Sequence, residues 1–294
     1  MLEIIKETLI DSIKLLPFLF ITYLIMEYIE HKMGNKTKNT IKKSGKWGPI
    51  IGSILGVFPQ CGFSVSATNL YAGRVITLGT LIAVYLSTSD EMLPIFISEA
   101  VLPITILKIL GIKLIIGMIA GVTIDLFVHL IIKNKKNAQQ NEKNSKENEI
   151  GHICEEEHCH CDESGILKSA IHHTLSIFVF IMLITFIINI VVHFVGEETI
   201  AGWILNKPVI GPIIASLIGL IPNCAASVII TNMYLEKVIS LGSMISGLLT
   251  GAGVGLAVLF KTNNKIKENL SILVLLYAIG VISGIVIDLI GISI

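Results

Sequence analysis

The sequence predicts an all-α polytopic membrane protein, built as two inverted-topology repeats with Pro-broken or re-entrant helices and about 8–10 transmembrane segments. Eight apolar runs lie at roughly 9–29, 48–71, 75–97, 110–132, 172–194, 210–233, 238–260 and 270–291. Each approaches or exceeds the ~20 residues that a helix needs to cross a bilayer. Hydrophobic residues make up 53% of the chain and charged residues only 15%, where a soluble domain carries about 25% charged. The chain also repeats itself. GPIIGSILGVFPQCGFSVSATNLY (48–71) returns 163 positions later as GPIIASLIGLIPNCAASVIITNMY (211–234), with 13 of 24 positions identical. Broken apolar segments at matching places in two halves are the mark of a secondary transporter, and the breaks mark its binding site.

The first run has no small-residue cleavage site and is followed by further spans, so it reads as a retained helix and not a signal peptide. Residues 1–132 form the first transmembrane repeat, 133–168 a linker and 169–294 the second repeat. Lys-rich stretches fall at 32–46, 133–168 and 261–267. One crossing per run would divide Lys and Arg 12 to 10 between the faces, whereas one extra turn in each half makes the division 16 to 6. Cytoplasmic loops collect Lys and Arg, which favours the second arrangement. It makes the Lys-rich face cytosolic, leaves both termini outside, and gives each half an odd number of crossings. The halves are then inverted. Two places can host the extra turn: the breaks at 59–62 and 222–225, or those at 87–91 and 250–254.

Backbone freed by a break within the membrane must be satisfied by protein or by water in a cavity. Gln60, Cys61, Ser64, Thr68 and Asn69 are expected on one wall of such a cavity, and Asn223, Cys224, Ser227, Thr231 and Asn232 on the other. The blander reading makes these hydroxyls and amides interhelical glue. The segment Ser87-Thr88-Ser89-Asp90-Glu91 carries two acids between apolar flanks, and its mate Thr-Gly-Ala-Gly-Val (250–254) carries none. Acids at membrane depth are functional candidates. Here they offer hard oxygen ligands or a proton relay, and from one half only. Asp125 and Asp288 recur at the same 163-residue shift, each with Gly four and eight residues before it. They are candidates for proton coupling, with capping of a neighbouring helix as the competing role.

The linker holds His152, Cys154, His158, Cys159, His160 and Cys161 within ten positions, after a low-complexity polar run. Such a tract suits a labile soft or borderline metal, and its spacing is not that of a structural zinc finger. Cytosolic placement makes these thiols reduced.

GVFPQCGFS, the STSDE segment, the opening LLPFLFITYLIMEYIEH, IPNCAASV and the His/Cys-rich middle loop together resemble the ten-transmembrane heavy-metal exporters, a family described variously as arsenic efflux proteins or manganese transporters. The resemblance implies metal or metalloid export across the plasma (inner) membrane of a prokaryote. Asp90, Glu91, Asn69 and Asn232 suit Mn(II), while Cys61 and Cys224 suit arsenite. The mixed set places a divalent transition metal slightly ahead. The expected partners are the lipid bilayer, the transported ion and protons. There is no resident cofactor and, at zero net charge, no nucleic acid. No G-x-x-x-x-G-K-[ST] motif supports ATP-driven pumping. A transporter of small organic solutes, an intramembrane enzyme and a passive channel are the competing classes, and the duplication disfavours the enzyme.

Overall fold

The computed structural model describes residues 47–58, 61–89, 92–138, 166–195, 209–222 and 224–291, with isolated positions between Ile13 and Leu24. The side chains of Cys61, Cys224 and Ala225, those of 131–138 and some within 166–195 fall outside this description. The described residues form helices joined by turns, with no strand among them.

In the first half the helices are α1 (Gly48–Gly56), α2 (Cys61–Ala72), α3 (Leu78–Ser87), α4 (Met92–Ser98) and α5 (Pro103–Ala138). Then follow α6 (Ile166–Val195), α7 (Ile210–Gly219), α8 (Cys224–Leu235), α9 (Leu241–Thr250), α10 (Val254–Thr262) and α11 (Ile266–Ile290). The apolar run 48–71 is therefore two short helices and not one span. The run expected at 110–132 begins earlier, at Pro103, because Lys108 and Lys113 lower its hydropathy without breaking the helix. Pro103 sits at the first turn, where its missing N–H costs nothing.

Close approaches fix the helix directions. A Cβ on Gly48 would collide with Thr80, on Gly52 it would crowd Thr80 and Val84, and on Gly56 it would meet Val84 and Ser87. So α1 runs parallel to α3, and the chain reverses between α1 and α2. On α5, Gly117 abuts Ser87 and Ala83, and Gly121 abuts Gly79, Ala83 and Pro49 of α1. That makes α5 antiparallel to α3. The second half repeats, 163 positions on, the contacts of Gly56, Gly117 and Gly121. Gly219 meets Gly247 and Thr250, Gly280 meets Thr250, and Gly284 meets Gly242, Ser246 and Pro212. The small-residue stripe read from the sequence is the surface along which these helices touch.

Four described helical stretches are long and apolar enough to cross a membrane: Leu78–Ser98, Pro103–Leu130, Leu241–Thr262 and Ile266–Ile290. The first and third are 75% and 83% buried, the second and fourth only 22% and 28%. The broken pairs α3/α4 and α9/α10 are thus the centre, and α5 and α11 are outer walls. Ile115, Ile119, Phe127, Val274, Ile282 and Val286 on those walls are exposed, as lipid-facing side chains must be. The halves interlock. From the first half α2 packs along α10, and from the second half α8 packs along α4, with Phe96 and Tyr234 rings 6.5 Å apart.

Substituting Gly121 or Gly284 by Val is expected to destabilise the protein by about 1–3 kcal/mol in each case, because the outer helix must be pushed off its broken partner. Gly111, where an added Cβ would meet nothing within 4 Å, serves as the control. Thermal unfolding of the three purified variants, with only Gly111→Val matching the wild type, is the expected result.

Candidate functional site

Both broken helices begin in the same way. Thr77 caps α3, accepting a hydrogen bond from Thr80 N at 3.1 Å while its hydroxyl donates to Asp125 Oδ2 at 2.6 Å. Asp125 Oδ1 also accepts from Gly79 N at 2.8 Å. At α9 the cap is Ser240, which accepts from Ser243 N at 3.1 Å and donates to Asp288 Oδ2 at 2.7 Å. Gly242 N donates to Asp288 Oδ1 at 2.9 Å. A carboxylate at a helix N-terminus satisfies orphan N–H groups and meets the positive end of the helix dipole. Of the two roles read from the sequence for Asp125 and Asp288, these hydrogen bonds describe helix capping.

The other ends of α3 and α9 stop in the interior. Thr88 leaves the helix in an extended conformation, and Ser87, Thr88 and Ser89 are all buried. In the second half the chain leaves α9 at Gly251 and turns through Gly253, whose φ of 54° suits glycine. Gly253 is the mate of Asp90, so the two breaks share a position but not a backbone preference. Ser64 and Asn69 on α2 are buried, and Ser64 packs directly on Gly255. Thr68 Oγ1 lies 2.5 Å from Tyr85 OH, and both hydroxyls lie 3.1 Å from Gly255 O. Thr68 and Thr231 also bond back to Ser64 O and Ser227 O, at 2.8 and 2.7 Å. Ser227 lies beside Gly251 at the second break.

These contacts gather Ser64, Thr68, Ser87, Thr88, Ser89 and Ser227 around the two breaks, while Asn69 and Thr231 are buried on the same helices, α2 and α8. Asn232 does not join them, since it is exposed where its mate Asn69 is buried. Gln60, Asp90, Glu91 and Asn223 lie outside the described residues, as do His152, Cys154, His158, Cys159, His160 and Cys161. Cys61 and Cys224 open α2 and α8, which places their backbones at the breaks. Among the described residues, no three His, Cys, Asp or Glu side chains come together. The oxygens present are hydroxyls, one amide and freed carbonyls.

Three residues here were not singled out from the sequence. Tyr85 reads as an ordinary core aromatic in IAVYL, yet its hydroxyl joins the halves. Lys113 is fully buried on α5 and donates to Thr88 O and, at 3.0 Å, to Leu248 O. Its signal was visible as the single cation in the apolar run 110–132. Arg74, in the turn after α2, forms a two-pronged ion pair with Glu268 at 2.7 and 3.1 Å, and Tyr71 OH donates to the same carboxylate. Its hydrogen bond to Glu268 raises the Arg74 guanidinium above its ordinary pKa, so the arginine stays charged. Farther out, Lys261 donates to Ser176 O and lies over Phe180, in a cleft also lined by His172.

A family model described as "Putative, 10TM heavy-metal exporter" matches residues 1–194 and, a second time, residues 166–293. Neither a curated protein nor a solved structure matches the chain.

Replacing Asp125 or Asp288 by Ala is expected to cost about 1–3 kcal/mol each, because each leaves one N–H without its acceptor and takes the charged acceptor from the capping hydroxyl. Near-equal losses in thermal stability for the two variants would reflect the equivalence of the two caps. A loss confined to Asp125→Ala would contradict it.

Proposed function

The chain belongs to this family of heavy-metal exporters, and from that premise we propose that it carries a metal ion across the membrane through a site between its two helix breaks. The observation that carries this reading is the meeting of α3/α4 and α9/α10 at their breaks, lined by buried hydroxyls and freed carbonyls. The nine residues of α1 and the ten of α3 each rise about 14–15 Å, half of the ~30 Å apolar core, so both first-half breaks reach the middle of the bilayer.

The two repeats lie inverted in this reading. In the first half, the turn 73–77 lies at the Asp125 end of α3. The Arg74–Glu268 pair joins that turn to the start of α11, which is the end of the second half farthest from Asp288. Equivalent ends therefore point to opposite faces. The parallel course of α1 and α3 supports a re-entrant hairpin at 57–60, and by equivalence at 220–223. The breaks at 88–91 and 251–253 then interrupt helices that continue across. The Lys-rich stretches share the cytosolic face with Arg74, and cargo leaves to the opposite side by alternating access, driven by protons or by the membrane potential.

Among cargoes, a divalent transition metal such as Mn(II) is favoured over arsenite. The site offers many oxygens, with Asp90 and Glu91 two and three residues beyond Thr88. The two repeats each contribute one cysteine, Cys61 and Cys224, at the start of α2 and α8, and trivalent arsenic prefers three thiols. The linker's His/Cys tract serves as a labile cytosolic capture site.

Elemental analysis of cells expressing the chain, challenged with Mn(II), Zn(II), Cd(II) and arsenite, tests the cargo. Lower divalent metal, lost in Asp90→Asn and Glu91→Gln but kept in Cys61→Ser/Cys224→Ser, is expected. Lower arsenic that depends on the cysteines would reverse the preference, and no change for any element would favour the organic-solute class. The inverted arrangement has its own check. In a cysteine-free background, Arg74→Cys with Glu268→Cys should cross-link with a short bifunctional thiol reagent, and failure to cross-link would remove the support for inversion.

A further inference from the structure

We propose that Lys113 is a built-in stand-in for the cargo: its ammonium holds the cation position between the two breaks in the empty protein and leaves it when a metal ion enters. The proposal rests on the exporter reading above and deepens it. A lysine with no exposed surface in a membrane-crossing helix is costly, and such residues face the interior and serve function. Lys113 reaches one carbonyl from each half, Thr88 O at the end of α3 and Leu248 O in the last turn of α9. Gly251 N bonds Gly247 O and Ala252 N bonds Thr250 O, which passes over Leu248 O and leaves it to the ammonium.

Carbonyls at the ends of interrupted helices carry the negative end of the helix dipole, and they are the groups with which transporters hold a cation at the midplane. The ammonium therefore sits where a cargo ion would find its backbone ligands. The lysine's four-carbon stem lets the charge swing away while α5 stays fixed against α3 along Gly117 and Gly121. Among the described residues this buried cation has no counterpart in the second half, since the mate of Lys113 is Leu276. A single internal cation matches a single cargo site.

The consequence separates two modes of transport. An empty protein with Lys113 in place has its midplane carbonyls satisfied and can change faces. Without the ammonium, only the loaded form has that compensation. Exchange of metal for metal then survives while net movement stops. A lysine that merely ties the halves together predicts no such split.

The test uses the full chain in liposomes with radiolabelled Mn(II), comparing the wild type with Lys113→Met. Metal-for-metal exchange within about twofold of wild type, with net efflux reduced at least about tenfold, is expected from a variant whose empty form no longer returns. Normal net efflux by Lys113→Met overturns the proposal. So does loss of both modes in a variant that inserts and elutes as a single species. If the wild type moves Mn(II) in neither mode, the cargo assignment fails and direct binding decides the lysine's role. Without an internal competitor, Lys113→Met should bind Mn(II), Zn(II) or Cd(II) about tenfold more tightly than wild type in detergent, since the site is no longer occupied part of the time. Equal or weaker binding, or binding by neither protein, overturns it.

Discussion

A helix that stops inside a packed bundle leaves orphan backbone groups at its ends, and those that are buried must find a partner within the protein. The central helices α3 and α9 meet this constraint at both ends by different means. Their N-termini receive a hydroxyl and a carboxylate, Thr77 with Asp125 and Ser240 with Asp288. Because each Asp sits on an outer helix, the cap also sets the register of α5 on α3 and of α11 on α9. The glycines four and eight residues earlier then fall against Ala83 and Ser87, or Ser246 and Thr250. At the inner ends, carbonyls are met by Lys113 and by hydroxyls drawn from both halves. Packing, register and the candidate site therefore follow from one requirement.

Much of this was legible in the sequence where the two halves agree. Pro59/Pro222, Ser64/Ser227 and Thr68/Thr231 stand in both copies, and in each the Thr hydroxyl donates to the Ser carbonyl one turn earlier in its own helix. The GxxxG spacing before Asp125 and Asp288 announced close helix contact. The direction of that contact was not announced, because spacing along one helix says nothing about its neighbour's course. The choice between two places for the extra turn stayed open for the same reason. The course of α1, parallel to α3, is carried by Gly48, Gly52 and Gly56 against Thr80, Val84 and Ser87, residues of a different helix.

What the sequence hid were groups whose partners lie in the other half. Tyr85 and Gly255 are 170 positions apart, Lys113 and Leu248 135, and Arg74 and Glu268 194. No local pattern points across such distances. Each of these groups also lacks a counterpart, so the repeat gives no second hint. Leu248 answers Tyr85, Leu276 answers Lys113, and Lys237 and Thr105 answer Arg74 and Glu268.

That division between matched and unmatched residues has a physical logic. Matched residues satisfy demands each half makes alone, such as capping a helix or admitting a close neighbour, and duplication preserves them. Arg74 and Lys237 even share a left-handed turn, with φ of 58° and 60°, although only Arg74 has a carboxylate to bind. Unmatched residues sit where the halves meet. A two-fold arrangement would offer a small ion two equal sites or one site on the axis, whereas the chemistry at the breaks is one-sided. Ser-Thr-Ser-Asp-Glu, Lys113 and Tyr85 come from the first half, and the second half meets Lys113 and Tyr85 with the carbonyls of Leu248 and Gly255. The second half thus brings its main chain up to side chains that only the first half carries. Such a division sets one asymmetric position inside an otherwise repeated scaffold.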